Sequence, residues 1–121
     1  MAGVPFLGFI DVETKSTVFD YKVTKAAKSQ SETDNDLQLT IYSYGTGKEN
    51  VGFYSLTKTK TCNIDLKMAI RKEKDYAVAE AVIDGAVDGI KKGVFPMCDP
   101  TKTFPCSPKW CGFYRMCRGS F

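Results

Sequence analysis

The chain has 121 residues, of which 43% are hydrophobic and 26% are charged, and its net charge is +3 at neutral pH. This composition fits one soluble domain with a modest core, and the small basic excess permits a polyanionic partner without requiring one. No histidine is present, which excludes histidine acid–base catalysis, Ser–His or Cys–His nucleophile pairs and histidine zinc ligands.

Two short runs near the amino terminus predict strands at residues 3–12 and 17–24, joined by a tight polar connection. Alternate residues of a strand share one face, so Asp20 and Lys22 point the same way, and a hairpin would bring Asp11 alongside them. One interpretation is a solvated face with a cross-strand ion pair. The other is a divalent-metal site, in which carboxylate oxygens hold the ion and a lysine lies beside the nucleophile.

The middle of the chain contains polar, helical and extended segments in turn. Helical stretches are indicated by apolar residues three and four apart, and their ends by glycine. In chain order we predict a polar loop at 25–35, with helix N-cap candidates at 31–35; a helix at 36–44 ended by Gly45-Thr46-Gly47; strands at 50–57 and around 60–66; and a long packing helix over 69–92 ended by Gly93.

Five cysteines are present, and four of them lie in the last 24 residues. Their odd number, without a visible secretory signal, argues against a disulfide framework. Clustering at one end indicates metal ligation, by an iron–sulfur cluster or by zinc, although the short paired spacings usual for zinc are absent. Unligated cysteines that pack as small hydrophobes are the alternative.

No transmembrane run is found, so we expect an intracellular, cytoplasmic protein.

Three motifs follow one another in the chain: Gly8-Phe-Ile-Asp11, Phe19-Asp-Tyr-Lys22 and Gln38-Leu-Thr-Ile-Tyr42. In order and spacing they resemble the G-x-h-D, h-D-x-K and Q-h-x-x-Y motifs of the RecB-like branch of the PD-(D/E)XK nucleases. The terminal C-S-P-K-W-C-G-F-Y-R-M-C is similar to the cysteine tail of phage and CRISPR-associated exonucleases in that branch, where a [4Fe–4S] cluster is held. The resemblance covers residues 3–57 and 104–119.

The resemblance implies an α/β, restriction-endonuclease-like core, in which a mixed central sheet is flanked by helices and followed by an irregular cysteine-rich tail. It places residues 1–95 in the nuclease core and 96–121 in the tail of the same domain. It also implies a Mg²⁺- or Mn²⁺-dependent exonuclease that hydrolyses DNA phosphodiesters at ends or in single strands, with a phage as one source.

Carried over to this chain, the resemblance makes Asp11 and Asp20 the ligands of Mg²⁺ or Mn²⁺. Lys22 would orient or help deprotonate the attacking water and stabilise charge on the phosphate. Gln38 and Tyr42 would support the site and touch the DNA strand.

Two lysines just after these motifs, Lys25 and Lys28, are candidates for phosphate contacts, with a solvated basic loop as the equal alternative. The family's upstream helix and early cysteine have no counterpart here, so we expect a fragment of a larger nuclease or a reduced version that completes its site by oligomerising. The competing functions are a non-catalytic nucleic-acid-binding module and a zinc-stabilised binding protein. For the iron–sulfur cluster that the resemblance implies, Cys98 would replace the missing early cysteine, so that the ligands form a local set of Cys98, Cys106, Cys111 and Cys117; Cys62 is the alternative to Cys98.

Overall fold

A computed structural model describes residues 3–97 and 106–118. These residues divide into two compact units, one ending at Ala86 and the other beginning at Val87. The elements in chain order are β1 (Val12–Glu13), β2 (Thr17–Thr24), α1 (Gln30–Asn35), α2 (Leu37–Thr46), β3 (Asn50–Thr57), β4 (Asn63–Ile70), α3 (Glu73–Lys91) and α4 (Tyr114–Arg118).

The sheet is mixed, in the order β1-β2-β3-β4. β1 pairs antiparallel with β2, β2 pairs parallel with β3, and β3 pairs antiparallel with β4. Parallel neighbours require a crossover connection, and α1 and α2 supply it between β2 and β3. The predicted α/β class with a mixed sheet and flanking helices is therefore confirmed.

The two faces of this sheet differ completely in charge. Because side chains alternate along a strand, the register places every charged residue of β1–β4 on one face, here called the charged face: Glu13, Asp20, Lys22, Asp65 and Lys67. On the same side, Leu39 of α2 packs with Val51, Phe53 and Ala69 to form the buried core. The opposite face, here called the apolar face, carries Tyr21, Val23, Tyr54, Leu56, Ile64, Leu66, Met68 and Ile70.

The predicted hairpin is confirmed, but its first strand is much shorter than the expected 3–12. β1 contains only Val12 and Glu13, and the turn after it is closed by Thr14 N–H donating to Thr17 O at 2.9 Å. Before β1, the carboxylate of Asp11 accepts the Tyr21 N–H at 2.8 Å. A side chain thus takes the backbone donor that a longer antiparallel ladder would use.

Of the other predicted strands, two are confirmed and one is shifted along the chain. The strands at 17–24 and 50–57 are confirmed to the residue. The strand expected around 60–66 instead runs over Asn63–Ile70, and the long helix begins at Glu73 rather than at 69. Ala69 belongs to the buried core of the sheet, so pairing with β3 overrides the helical spacing of this small residue.

The N-cap candidates at 31–35 are wrong, and the last part of the loop predicted at 25–35 is the helix α1, whereas α2 begins within one residue of the predicted 36. Ser29 caps α1, and its Oγ accepts the Glu32 N–H while Glu32 accepts the Ser29 N–H, which is a complete capping box. Asp36 caps α2 by accepting the Leu39 N–H at 2.8 Å. The predicted glycine stop is confirmed at Gly47, whose φ of 70° suits glycine.

A buried arginine joins the crossover helices to the last strand. Arg71 is 1% exposed, and its guanidinium donates to Thr40 Oγ1 at 2.7 Å, Thr33 O at 2.8 Å and Asp36 O at 3.2 Å. Burial lowers the pKa of this guanidinium, while nearby Asp75 and Asp36 oppose the shift. These bonds fix α1 and α2, and so the side chains that α2 presents, against the end of β4.

In the second unit, Gly93 adopts a φ of 67° just after α3, as predicted for its end. The described tail contains turns and the short helix α4, which the sequence had not indicated. Among residues 3–97 and 106–118, no helix has the length and apolar content needed to cross a membrane.

Candidate active site

Asp20 and Lys22 meet on the charged face in the middle of the sheet. Asp20 Oδ2 lies 2.7 Å from Lys22 Nζ, and the Asp20 side chain is only 5% exposed. This is not the solvated cross-strand pair that the sequence left open, because both residues lie on β2 and the carboxylate is buried. Water is therefore largely excluded from the carboxylate, and its interactions with neighbouring charges are strengthened.

Helix α2 completes a closed set of hydrogen bonds around this pair. Gln38 Oε1 accepts from Lys22 Nζ at 3.1 Å, and Gln38 Nε2 donates to Asp20 Oδ1 at 3.2 Å and to Tyr42 Oη at 2.9 Å. Tyr42 Oη in turn donates to Phe9 O at 2.7 Å. Because Gln38 and Tyr42 are four residues apart, they lie on one stripe of the helix. Both amide N–H groups of Gln38 are thus engaged inside the protein.

The segment before β1 carries the first motif. Asp11 Oδ2 accepts the N–H of Tyr21, the residue between Asp20 and Lys22, so its carboxylate lies against the strand that carries the other two groups. Gly8 lies under the Tyr42 ring, where a Cβ would come within 3.0 Å of a ring carbon. The tyrosine of the third motif therefore leaves little room for any side chain larger than hydrogen at the glycine of the first motif.

The donor set at this place suits a hard divalent cation. Mg²⁺ is commonly held by one or two carboxylates together with water and substrate phosphate. Asp20 Oδ2 is a buried oxygen without a partner in hydrogen-bond geometry, although Lys22 contacts it as an ion pair. Asp11 is exposed. Asp20 and Asp11 thus fit Mg²⁺ or Mn²⁺ by oxygen chemistry, and no third acidic ligand is required.

The chain contains a second D-x-K sequence on the same face of the sheet. Asp65 and Lys67 of β4 form an ion pair at 2.6 Å, with side chains 37% and 31% exposed. In the register, Lys67 lies across β3 from Asp20, and Asp65 lies across from Lys22. This pair has the same spacing and the same face as Asp20 and Lys22, but it receives no hydrogen bond from Gln38 or Tyr42.

The two lysines that follow the site differ in their surroundings. Lys25 is exposed. Lys28 Nζ lies 3.0 Å from Glu32, four residues later on α1, and the Lys28 backbone N–H donates to Ser55 Oγ at 3.1 Å. The pKa of Glu32 falls to about 2, chiefly through the bond from the Ser29 backbone and then the one from Lys28. The charge of Lys28 is therefore partly satisfied within the chain.

The cysteines give the expected cluster no support. Within the described residues, no three His, Cys, Asp or Glu side chains are grouped so that they could hold a metal ion. Cys106, Cys111, Cys117 and Cys62 are free thiols, and Arg118 donates to Cys106 Sγ at 3.5 Å. Cys98, the fourth expected ligand, lies outside the described residues. The described part of the tail therefore does not support an iron–sulfur or zinc site.

One neighbour of the site was missed from the sequence. Phe53 of β3 is fully buried, and Lys22 Nζ lies 5.5 Å from its ring centroid, within the range of a cation–π contact. Phe53 pairs in register with Asp20 across the parallel ladder. A parallel register is set by the crossover, so no local pattern could have assigned this residue to the site.

The family comparison is consistent with the geometry described above. A family model for the PD-(D/E)XK nuclease superfamily matches residues 4–118. Neither the curated proteins nor the solved structures contain a match.

Proposed function

Because this chain belongs to the PD-(D/E)XK nuclease superfamily, we propose that it is a metal-dependent deoxyribonuclease that uses Asp11, Asp20 and Lys22 to hydrolyse phosphodiester bonds. One observation carries the proposal: the buried Asp20–Lys22 pair is held by Gln38, and the Asp11 carboxylate is bonded to the backbone N–H of Tyr21, the residue between them. We further propose that the substrate is DNA and that the enzyme is an exonuclease, which acts on the ends of duplexes or of single strands.

Asp11 and Asp20 would hold Mg²⁺ or Mn²⁺ beside the scissile phosphate. When bound, such an ion acidifies a water molecule and neutralises negative charge on the phosphate. This is why a chain without histidine can catalyse the reaction.

Lys22 supplies the charge that the chain itself brings to the reaction. Its ammonium lies next to Asp20 and donates to Gln38, so it is held in one place before substrate arrives. A fixed cation beside the phosphate stabilises the negative charge that develops in the transition state without reorganising first. From the same position it can donate a hydrogen bond to the attacking water and orient it.

Gln38 and Tyr42 act through the groups they bind rather than on the phosphate. The bond from Gln38 to Asp20 leaves Asp20 Oδ2 as the oxygen that faces the ion and the lysine. Tyr42 holds the segment that carries Asp11 through its bond to Phe9 O. We therefore assign both as positioning residues.

The surroundings offer places for the rest of the strand. An apolar groove of about 690 Å³, lined by Phe6, Leu7 and Ile41 among others, also includes Gln38 and Tyr42 in its wall. Unpaired bases pack on apolar and aromatic surfaces with little sequence preference. Because the groove shares Gln38 and Tyr42 with the site, unpaired bases next to the scissile phosphate could pack in it, which favours single strands or frayed ends as substrate. The exposed Lys25 is available for a neighbouring phosphate.

The proposal is tested with the wild-type chain and end-labelled linear DNA, single-stranded and duplex, in Mn²⁺, Mg²⁺ or EDTA. We expect short products from linear strands with either ion, none in EDTA, and no cleavage of a circular single strand. Cleavage of the circle would exclude an exonuclease but keep a nuclease. If no DNA is cut with any ion while a gel-shift assay still shows binding, the protein is the non-catalytic module instead.

Replacing Gln38 by leucine tests the positioning role. Gln38→Leu keeps the size of the side chain but frees Asp20 and Lys22, so we expect kcat to fall by about 10- to 100-fold, as for other supporting residues of metal sites. Gln38 also forms part of the groove wall, so KM is measured with kcat, and the larger loss is expected in kcat.

Gln30→Leu is the matched control for this change. Gln30 lies on the neighbouring helix and also donates two hydrogen bonds, to Asp34 and to Met68 O, but it does not touch the site. It should retain wild-type kcat. An equal loss of kcat in both variants would show that helix stability, not site geometry, explains the effect.

A further inference from the structure

Most of one face of the sheet is apolar and exposed. The apolar face contains none of the charged residues of β1–β4. Six of its eight side chains are 39–70% exposed, namely Tyr21, Val23, Ile64, Leu66, Met68 and Ile70. Single exposed apolar residues are ordinary on protein surfaces, but a contiguous apolar surface marks an interaction site.

The apolar face is continuous across three strands. Tyr21 pairs in register with Tyr54, and Tyr54 with Leu66; in the next row, Val23 and Ile64 flank Leu56. The Tyr21 and Tyr54 ring centroids are 5.6 Å apart. These side chains therefore form one surface and not a scatter of separate residues.

The size of this surface matches what a stable association needs. Aromatic side chains bury roughly 150–250 Å² each and aliphatic ones somewhat less, so these eight side chains, exposed to about half on average, leave on the order of 700 Å² to be covered. A standard stable interface buries about 800 Å² on each partner. One partner of similar extent would therefore cover the apolar face.

We propose that two copies of this chain associate through their apolar faces, with a two-fold axis between the sheets. A charge-free face is complementary to itself, because stacking it on a copy opposes no like charges and buries no unpaired charge. Two sheets pack face to face in this way at about 10 Å. The charged faces then point outward, and both Asp20–Lys22 sites remain open. This inference does not rest on the proposed nuclease activity.

The test is the mass of the full chain in solution, measured by size-exclusion chromatography with light scattering over a range of micromolar concentrations. The wild type should elute as a dimer, with twice the chain mass of 13.4 kDa. Ile64→Lys with Ile70→Lys places charges at two exposed positions of β4 and should raise the dissociation constant by about 100-fold or more, giving a monomer. Circular dichroism checks that the variant is folded.

Val78→Lys with Val82→Lys is the matched control. These α3 residues are 65% and 53% exposed but do not lie on the sheet, so this variant should remain a dimer. A monomeric wild type overturns the proposal whether or not any variant folds, and would leave the face to a different protein. A dimer that survives the β4 lysines, or that is lost equally in the control, overturns it as well.

Discussion

Asp20→Asn is expected to lower the rate of metal-dependent DNA cleavage by about 1000-fold or more, because it removes the buried charge that, in the proposed mechanism, binds the ion at the reacting phosphate. Asparagine has nearly the same shape and can still accept from Gln38, so the fold should be kept. The measurement is kcat/KM on linear single-stranded DNA in Mn²⁺. Calorimetric titration of Mn²⁺ should show a matching loss of affinity.

Asp65→Asn provides an unusually close control for this experiment. Asp65 also belongs to a D-x-K sequence, is ion-paired with the lysine two residues later, and lies on the same face of the same sheet. It is partly exposed and receives no hydrogen bond from Gln38 or Tyr42, so its loss should change kcat/KM by no more than about twofold. A large loss in Asp65→Asn, or full activity in Asp20→Asn, would place the chemistry elsewhere.

Arg71→Met is expected to lower the free energy of unfolding by about 3 kcal/mol, because three acceptors lose a charged donor and two of these contacts are buried. The acceptors are Thr40 Oγ1, Thr33 O and Asp36 O. Methionine fills much of the space but donates no hydrogen bond. Urea denaturation at a fixed protein concentration measures the change.

Two further variants serve as comparisons for Arg71→Met. Arg71→Lys keeps the charge but cannot span all three acceptors, so an intermediate loss is expected. Arg115→Met removes an exposed arginine of α4 and should change the free energy of unfolding by less than about 0.5 kcal/mol. If Arg71→Met is as stable as the wild type, the contacts of Arg71 do not hold the crossover helices in place.

Elements with strong local signals were predictable from the sequence. Thr17–Thr24 and Asn50–Thr57 are rich in β-branched and aromatic residues, and they form strands with the expected bounds. The helix that carries Gln38 ends at Gly47, whose left-handed backbone conformation favours glycine over other residues. The capping box at Ser29 and Glu32 is also a local signal, since S-x-x-E before a helix is its signature.

Elements that depend on a distant partner were not predictable. The segment before Val12 has a strand-like pattern but no ladder, because Asp11 takes the Tyr21 N–H with its side chain. Ala69 has helical spacing with the residues after it but lies in the buried core of the sheet. In both cases a tertiary contact outweighs a weak local preference.

The sequence by itself determined the family, the mixed α/β class and the residue types of the candidate site, because motif order and residue chemistry are written along the chain. Only the tertiary structure decided which of two equivalent D-x-K pairs is buried under α2 and joined to Gln38, and that all charge in the strands falls on one face. The physical reason is that burial and hydrogen-bond partners arise from the parallel crossover between β2 and β3. That crossover brings together residues whose separation in the chain carries no periodic signal.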